Sequence, residues 1–301
     1  MSKMRGSYTA MITPMNGNGS VDYEGFRKNV VFQLEQGIDG ILPLGTSGET
    51  PTLDEDEEDE IIKIAIPLVK DWNKEHGKDV KVVLGAGSNN TRDAVRYTER
   101  ALKAGADYAL VVTPYYNKPS DEGIFRHFEA VSKVGIPIVV YNIQGRTGKN
   151  ISVPLLERIA ELPNIAAVKE ASGNISQMME VIEKIGSKHP DFAVMSGDDG
   201  LTLPMMAAGG DGVISVVTNL IPALMTELVH DCLKGDFTAA RALHYRLQPL
   251  FRAAFCDGNP SSIKYAMNCK GLPAGTCRLP LVEARPEAQE IIKKALQECR
   301  V

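Results

Sequence analysis

Eight short apolar runs recur along the chain and alternate with segments whose apolar residues follow a helical period. Runs of this length that are rich in β-branched residues predict buried strands, and strand followed by helix, repeated, is typical of a parallel sheet. Eight such units predict an α/β fold in which the sheet closes into a (β/α)8 TIM barrel. The runs are Tyr8 to Thr13, Gly40 to Leu44, Val80 to Leu84, Tyr108 to Thr113, Pro137 to Tyr141, Ile165 to Lys169, Phe192 to Ser196 and Gly212 to Val217.

An open doubly wound sheet is the alternative architecture for the same alternation, and such sheets usually bind nucleotides at a GxGxxG turn. The turn Gly85-Ala86-Gly87-Ser88-Asn89-Asn90 breaks that motif at its last position, which favours the barrel. After about Cys232 the strands stop. Three helical stretches follow there: Asp236 to Phe255, Ser261 to Lys270 and Glu287 to Glu298. We therefore predict a barrel with the active site at residues 1–232 and a C-terminal helical extension, packed on it, at 233–301.

Composition excludes several classes of partner. The net charge of -5 and the pI of about 5.7 argue against nucleic-acid binding, which depends on clustered Lys and Arg. The chain start lacks the apolar segment of a signal peptide, and no run approaches about 18 apolar residues, so no membrane association is expected. The five cysteines form no CxxC pair, which predicts reduced thiols in a cytoplasmic protein.

An acidic run from Asp54 to Glu60 follows Thr52. Acids in a first helical turn suit the helix dipole, and we predict that Thr52 caps the following helix in a capping box with Glu55. A cation site is the functional alternative for the same run. The solvated helix start is the simpler interpretation.

A lysine stands at the end of the sixth run, in Ile165-Ala166-Ala167-Val168-Lys169. Burying an ammonium is expensive, so burial at a strand end lowers the lysine pKa and leaves a neutral amine that can attack a carbonyl. Lys169 is therefore our first candidate for a Schiff-base nucleophile. The alternative is that its side chain extends to solvent and pairs with a carboxylate.

Other polar residues follow the strands at the same predicted end, where catalytic groups of such barrels lie. Thr46 and Ser47, between two glycines, offer hydroxyls and free N–H groups suited to a carboxylate. Tyr141, on the neighbouring strand, is a candidate to pass a proton at the attacked carbon, and Arg146 to hold a carboxylate bidentately. Packing for Tyr141 and a surface charge for Arg146 are the alternatives. The five histidines lie away from these ends, so no metal is expected.

Taken together, these motifs resemble those of the dihydrodipicolinate synthase and N-acetylneuraminate lyase family of class I aldolases. The resemblance covers nearly the whole chain, in order. The matching motifs are Gly45-Thr46-Ser47-Gly48-Glu49, Thr113-Pro114-Tyr115-Tyr116-Asn117-Lys118-Pro119, Tyr141-Asn142, Arg146-Thr147-Gly148, Val168-Lys169-Glu170-Ala171-Ser172-Gly173-Asn174, Ser196-Gly197-Asp198-Asp199 and Gly212-Val213-Ile214-Ser215-Val216.

The resemblance implies a role for each matching residue. Pyruvate would form a Schiff base on Lys169 without an external cofactor, and Thr46, Tyr141 and Tyr116 would form the proton relay. Tyr116 would reach into the neighbouring subunit of a homotetramer, a dimer of dimers. The implied substrate-binding residues are Thr46, Ser47, Arg146, Gly212 and Ile214.

In the synthase branch, the arginine that matches Arg146 binds the carboxylate of aspartate semialdehyde, and the sialic-acid lyases lack it. The resemblance thus implies condensation of pyruvate with L-aspartate 4-semialdehyde in lysine (diaminopimelate) biosynthesis, by a carbon–oxygen lyase. Two alternatives stay open: an aldolase acting on a 2-keto-3-deoxy sugar acid or N-acetylneuraminate, and a non-catalytic relative that binds small acids.

Two of the chain's departures from the family pattern bear on its function. Gln144 stands where the synthases usually carry a proline, which predicts a less rigid loop around Arg146. Two histidines of the family's lysine feedback site are Glu55 and Glu58 here, so the response to lysine stays open. The residues that do match that allosteric site are Asn89, Asp93, Tyr115, Thr50 and Pro51.

Overall fold

The computed structural model describes residues 3–301 and contains a closed parallel barrel. Its eight strands pair in sequence order, each parallel to the next. The strands are β1 Gly6–Ala10, β2 Gly40–Leu42, β3 Lys81–Gly85, β4 Tyr108–Val112, β5 Ile138–Asn142, β6 Ile165–Glu170, β7 Ala193–Ser196 and β8 Gly212–Ser215. The predicted (β/α)8 barrel is confirmed.

Helices lie between the strands and after the last one. The helices are α1 Tyr23–Glu35, α2 Glu55–His76, α3 Thr91–Ala104, α4 Asp121–Ser132, α5 Gln144–Thr147, α6 Val153–Ala160, α7 Ile175–Val181, α8 Thr202–Ala207, α9 Pro222–Lys234, α10 Phe237–Ala253, α11 Ser261–Cys269 and α12 Pro286–Cys299. A π-helical turn continues α7. The last three helices match the predicted C-terminal stretches within two residues at each end.

The chain divides into two compact units. The first unit, residues 83–214 with the described residues up to Gly6, contains strands β4 to β7, most of β8 and helices α3 to α8. The second unit, residues 7–82 and 215–301, contains most of β1, strand β2 and helices α1, α2 and α9 to α12. The separation of a barrel at 1–232 from an extension at 233–301 stays a prediction.

Four strands, β1, β2, β4 and β8, end one to three residues before their predicted C-terminal ends. Strand β1 ends at Ala10 because Ile12 gives its backbone N–H to the side chain of Asn219, at 3.0 Å, and leaves the ladder. Strand β8 ends at Ser215, and Val217 begins a 3₁₀ turn that carries Asn219. Side-chain hydrogen bonds of this kind are not visible in an apolar pattern.

The start of α2 corrects one prediction. The cap is Asp54, whose carboxylate accepts from the N–H of Glu57 at 2.9 Å, and Glu57 accepts in turn from Asp54. The expected box of Thr52 with Glu55 is therefore wrong by two residues. Thr52 instead ends a preceding 3₁₀ turn, which moves the first free N–H groups of the helix along the chain.

Candidate active site

Lys169 lies on β6 with only 6% of its surface exposed. Burial lowers its pKa to about 8, the negative charge of Asp199 opposes this shift, and the positive charge of Arg146 adds to it. Lowering the pKa from 10.5 to about 8 raises the neutral fraction at pH 7 by roughly 300-fold. The alternative of an exposed lysine paired with a carboxylate is wrong, because the side chain is buried.

Tyr141 lies directly beside Lys169 in the sheet. The two residues are register partners of β5 and β6, and the Lys169 Nζ lies 4.4 Å from the centre of the Tyr141 ring. Tyr141 is 5% exposed, and its carbonyl accepts from the N–H of Thr113 at 3.1 Å. A ring face attracts a cation, so this contact favours the charged amine, whereas burial favours the neutral one.

Gly197 leaves the space that the Lys169 side chain fills. A Cβ on Gly197 would lie 3.1 Å from Cγ and 3.2 Å from Cε of Lys169, and 2.7 Å from the Cβ of Ala171. In the sequence, Gly197 is visible only as part of the motif Ser196-Gly197-Asp198-Asp199, and this role was not predicted. Its signal was a glycine directly after β7, at the strand end where catalytic groups lie.

Arg146 lies in the short helix α5 and is exposed. The helical turn is closed by the N–H of Gly148, which donates to the carbonyl of Gln144 at 2.8 Å. Gly148 has a φ of 69°, and the side chain of Lys118 lies against it, with Cε 2.7 Å from where a Cβ would stand. The loop thus forms a hydrogen-bonded turn with Gln144 as its first residue. That Arg146 binds a carboxylate stays a prediction.

Tyr116 does not join Lys169 and Tyr141 within this chain. Its side chain is 90% exposed, and its φ of 69° places a non-glycine residue in the left-handed region. Such backbone conformations are costly and cluster at functional sites. The predicted contribution of Tyr116 to a neighbouring subunit stays a prediction.

Thr46 and Ser47 belong to the second unit, in the turn after β2. Ser47 is buried, and its hydroxyl accepts from the side-chain amide of Asn259 at 2.9 Å. Two residues on, Glu49 is buried and forms an ion pair with Lys264 of α11. The C-terminal segment therefore fixes this turn, a role of Asn259 and Lys264 that the sequence analysis missed. Thr46 is half-buried.

Gly212 and Ile214, both on β8, have packing reasons for their identity. A Cβ on Gly212 would lie 2.0 Å from the backbone oxygen of Gly6, so only glycine fits there. Ile214 is fully buried. Contact of either residue with a substrate stays a prediction.

The residues that match a lysine site are distributed over both units. In the first, the backbone oxygen of Asn89 accepts from the side chain of Asn117 at 2.8 Å, and Asp93 accepts from Asn90 at 2.7 Å. Tyr115 is half-buried. In the second, Thr50 and Pro51 form the 3₁₀ turn before α2. A lysine site made from these residues stays a prediction.

Metal and membrane features are absent from the described part of the chain. Among residues 3–301, the His, Cys, Asp and Glu side chains form no group of three that could hold a metal ion. Every helix in that range is too short or too polar to span a bilayer. The five cysteines all lie in that range and are free thiols.

The fold and this site define a class, the parallel (β/α)8 barrels that keep a buried amine on a barrel strand. Within that class, the chain belongs to the dihydrodipicolinate synthetase family, whose model matches residues 3–299.

Similar proteins carry matching names. A 4-hydroxy-tetrahydrodipicolinate synthase of Protochlamydia amoebophila is 48% identical over 98% of this chain and 96% of its own. The solved dihydrodipicolinate synthase of Thermotoga maritima superposes with a TM-score of 0.93 at 38% identity, covering 99% of both chains. A structure of the Cyanidioschyzon merolae enzyme, described as having lysine bound, gives a TM-score of 0.93 at 36% identity over 100% of this chain and 99% of its own.

Proposed function

We propose that the chain condenses pyruvate with L-aspartate 4-semialdehyde through a Schiff base on Lys169, as a 4-hydroxy-tetrahydrodipicolinate synthase does in lysine (diaminopimelate) biosynthesis. The observation that carries the proposal is a buried amine with a pKa of about 8 beside a tyrosine ring. The names of relatives that are 42–48% identical over nearly the full length support the same reaction.

The first half of the reaction uses Lys169 and Tyr141. The neutral amine attacks the ketone carbon of pyruvate, a proton moves through Tyr141 to the departing hydroxyl, and water leaves to form an iminium. The iminium withdraws electrons from the adjacent methyl group, which loses a proton and becomes the nucleophilic carbon of an enamine. The iminium formed on Lys169 is the electron sink, so the reaction uses no external cofactor.

The second half joins the two substrates. The enamine carbon attacks the aldehyde of aspartate semialdehyde, whose carboxylate we assign to the guanidinium of Arg146. The amine of the bound product then attacks the iminium carbon, closes the ring and releases Lys169 unchanged. Thr46 and Ser47 would hold the carboxylate of pyruvate during both halves.

The assembly and the compartment are part of the proposal. The 90% exposure of Tyr116 supports a site completed by a second copy of the chain, in a homotetramer built as a dimer of dimers. Five free thiols support a reducing compartment, the cytoplasm.

One experiment tests the chemistry directly. Purified protein is incubated with pyruvate and borohydride, and peptides are examined by mass spectrometry. We expect a reduced pyruvyl adduct on Lys169 and none on Lys184, an exposed lysine that serves as the internal control. Full activity with an unmodified Lys169 would overturn the mechanism.

A second assay separates the proposed reaction from its alternatives. The protein is given pyruvate and aspartate semialdehyde together, and cyclised product is measured. Cleavage of a 2-keto-3-deoxy acid or of N-acetylneuraminate, without cyclised product, would assign the chain to the aldolases. Pyruvate binding without turnover of either kind would indicate a non-catalytic relative.

A further inference from the structure

Behind the two proposed catalytic side chains lies a second pair of register partners. Tyr141 and Lys169 are partners across β5 and β6, and so are the next residues, Asn142 and Glu170. Successive side chains of a strand point to opposite faces, so Asn142 and Glu170 lie on the opposite face of the sheet from Lys169. Both are completely buried.

The carboxylate of Glu170 is satisfied by neutral groups. Oε1 accepts from the N–H of Ser172 at 2.7 Å, and Oε2 accepts from the side-chain amides of Asn142 at 2.9 Å and Gln177 at 3.2 Å. Within residues 3–301, the donors to this carboxylate are one backbone N–H and two side-chain amides. A buried charge is costly unless it is hydrogen-bonded, so these donors are held in place by the charge that they solvate.

The same network reaches the segment that carries Arg146. Asn142 donates to the side-chain oxygen of Asn150 at 2.8 Å and accepts from the N–H of Ile151 at 2.9 Å. Asn150 also donates to Gln177 at 2.8 Å. The segment between Asn142 and Asn150 includes helix α5, so its two ends are tied to each other.

We propose that Glu170 is a positioning residue, whose buried carboxylate fixes the ends of β5 and β6 so that Tyr141 and Lys169 stay in register, and through Asn142 and Asn150 fixes the segment of Arg146. This inference rests on the proposed function. Attack on a carbonyl requires reacting atoms in near-contact geometry, and a displacement of about 1 Å costs on the order of a hundredfold in rate. The carboxylate acts through its neighbours and touches neither substrate.

The test is Glu170→Gln, which keeps the shape but places an amide where three N–H donors converge. We expect the rate of pyruvate adduct formation, followed by borohydride trapping in single turnover, to fall at least tenfold. Glu183→Gln, at an exposed position, is the matched control and keeps the rate of the unchanged chain.

Two further variants separate positioning from general loss of structure. The double variant that combines Glu170→Gln with Gln177→Glu returns a carboxylate to the network. It should restore most of the lost rate of adduct formation. Asn150→Ala, at a half-buried position, should raise the KM for aspartate semialdehyde more than the KM for pyruvate.

The outcomes are distinguishable. No adduct in the unchanged chain overturns the proposed function, and this inference with it. An adduct in the unchanged chain that forms equally fast in Glu170→Gln overturns the inference alone. If Glu170→Gln does not fold, an Asn150→Ala variant with equal effects on both KM values overturns it.

Discussion

The chain buries two lysines within its described residues, one in each unit, and their surroundings differ. Lys169, on β6 of the first unit, is 6% exposed and faces the ring of Tyr141. Lys264, on α11 of the second unit, is 2% exposed, forms an ion pair with the buried Glu49 and donates to the carbonyl of Thr276 at 2.7 Å. The same side chain is thus buried with a full counter-charge in one place and beside an aromatic ring in the other.

The difference shows what makes a buried amine a nucleophile. Burial lowers the pKa of both lysines, and for Lys264 the charge of Glu49 and its hydrogen bond oppose this shift without cancelling it. At Lys169, the opposing charge of Asp199 leaves the pKa at about 8. The amine of Lys264 is engaged in an ion pair with Glu49, whereas the amine of Lys169 lies beside an aromatic ring and can attack a carbonyl when neutral.

The largest expected effect is the loss of activity when Lys169 is replaced. Lys169→Arg keeps a positive charge but removes the neutral amine, so we expect kcat to fall by about 10⁴-fold or more and the adduct to vanish. Steady-state kinetics and mass spectrometry measure both. Lys184→Arg, on the surface, should leave both unchanged. Residual adduct on another lysine in Lys169→Arg would contradict the assignment.

Replacing Lys264 should lower the stability of the chain. Lys264→Met leaves Glu49 buried without its partner, and breaking a buried ion pair this way costs about 3–5 kcal/mol. Denaturant unfolding measures the loss. The double change of Lys264→Met with Glu49→Gln removes the unpaired charge and should recover a large part of it. Equal midpoints for the single and double variants would show that the unpaired charge of Glu49 is not the source of the loss.

Replacing Lys169 should stabilise the chain, whereas replacing Lys264 should destabilise it. In the folded chain the pKa of Lys169 is about 8, below its unfolded value near 10.5, so the unfolded state binds more protons between these values and stability rises with pH there. Lys169→Met removes this cost and should stabilise the chain by about 3 kcal/mol at pH 7 and about 2 kcal/mol at pH 9. Denaturant unfolding at both pH values checks it. A gain that does not shrink with pH would contradict the linkage.

The smallest expected effect is the change in the rate of adduct formation with pH. Adduct formation requires the neutral amine, so its rate with excess pyruvate should rise by roughly tenfold per pH unit below pH 8 and level off above it. Single-turnover trapping across pH 6 to 10 measures this. A rate still rising steeply at pH 10 would show that the amine has an ordinary lysine pKa.

The sequence predicted the barrel well because its periodicity is local. All eight strands and the three C-terminal helices lie where the apolar pattern placed them. The errors in the prediction lie at the ends of strands and helices. Strand β1 and the cap of α2 were misplaced because side-chain hydrogen bonds, to Asn219 and within the Asp54 and Glu57 pair, decide where an element stops or starts.

The candidate site was predictable in part. Lys169, Tyr141 and Arg146 follow from residue type and from the rule that catalytic groups lie at strand ends, and the structure places Tyr141 against Lys169. The roles of Gly197 and of the network around Glu170 were not predicted, although both residues belong to motifs that carry the family resemblance. A motif gives the residue but not what its side chain touches.

The sequence by itself determined the order of strands and helices, the position of the amine on its strand and the class of chemistry that an amine there performs. Only the tertiary structure decided which of the buried lysines is paired and which is not. The physical reason is that a pKa depends on desolvation and on charges brought near from distant parts of the chain, such as Glu49 to Lys264. Neither quantity is encoded in a local pattern.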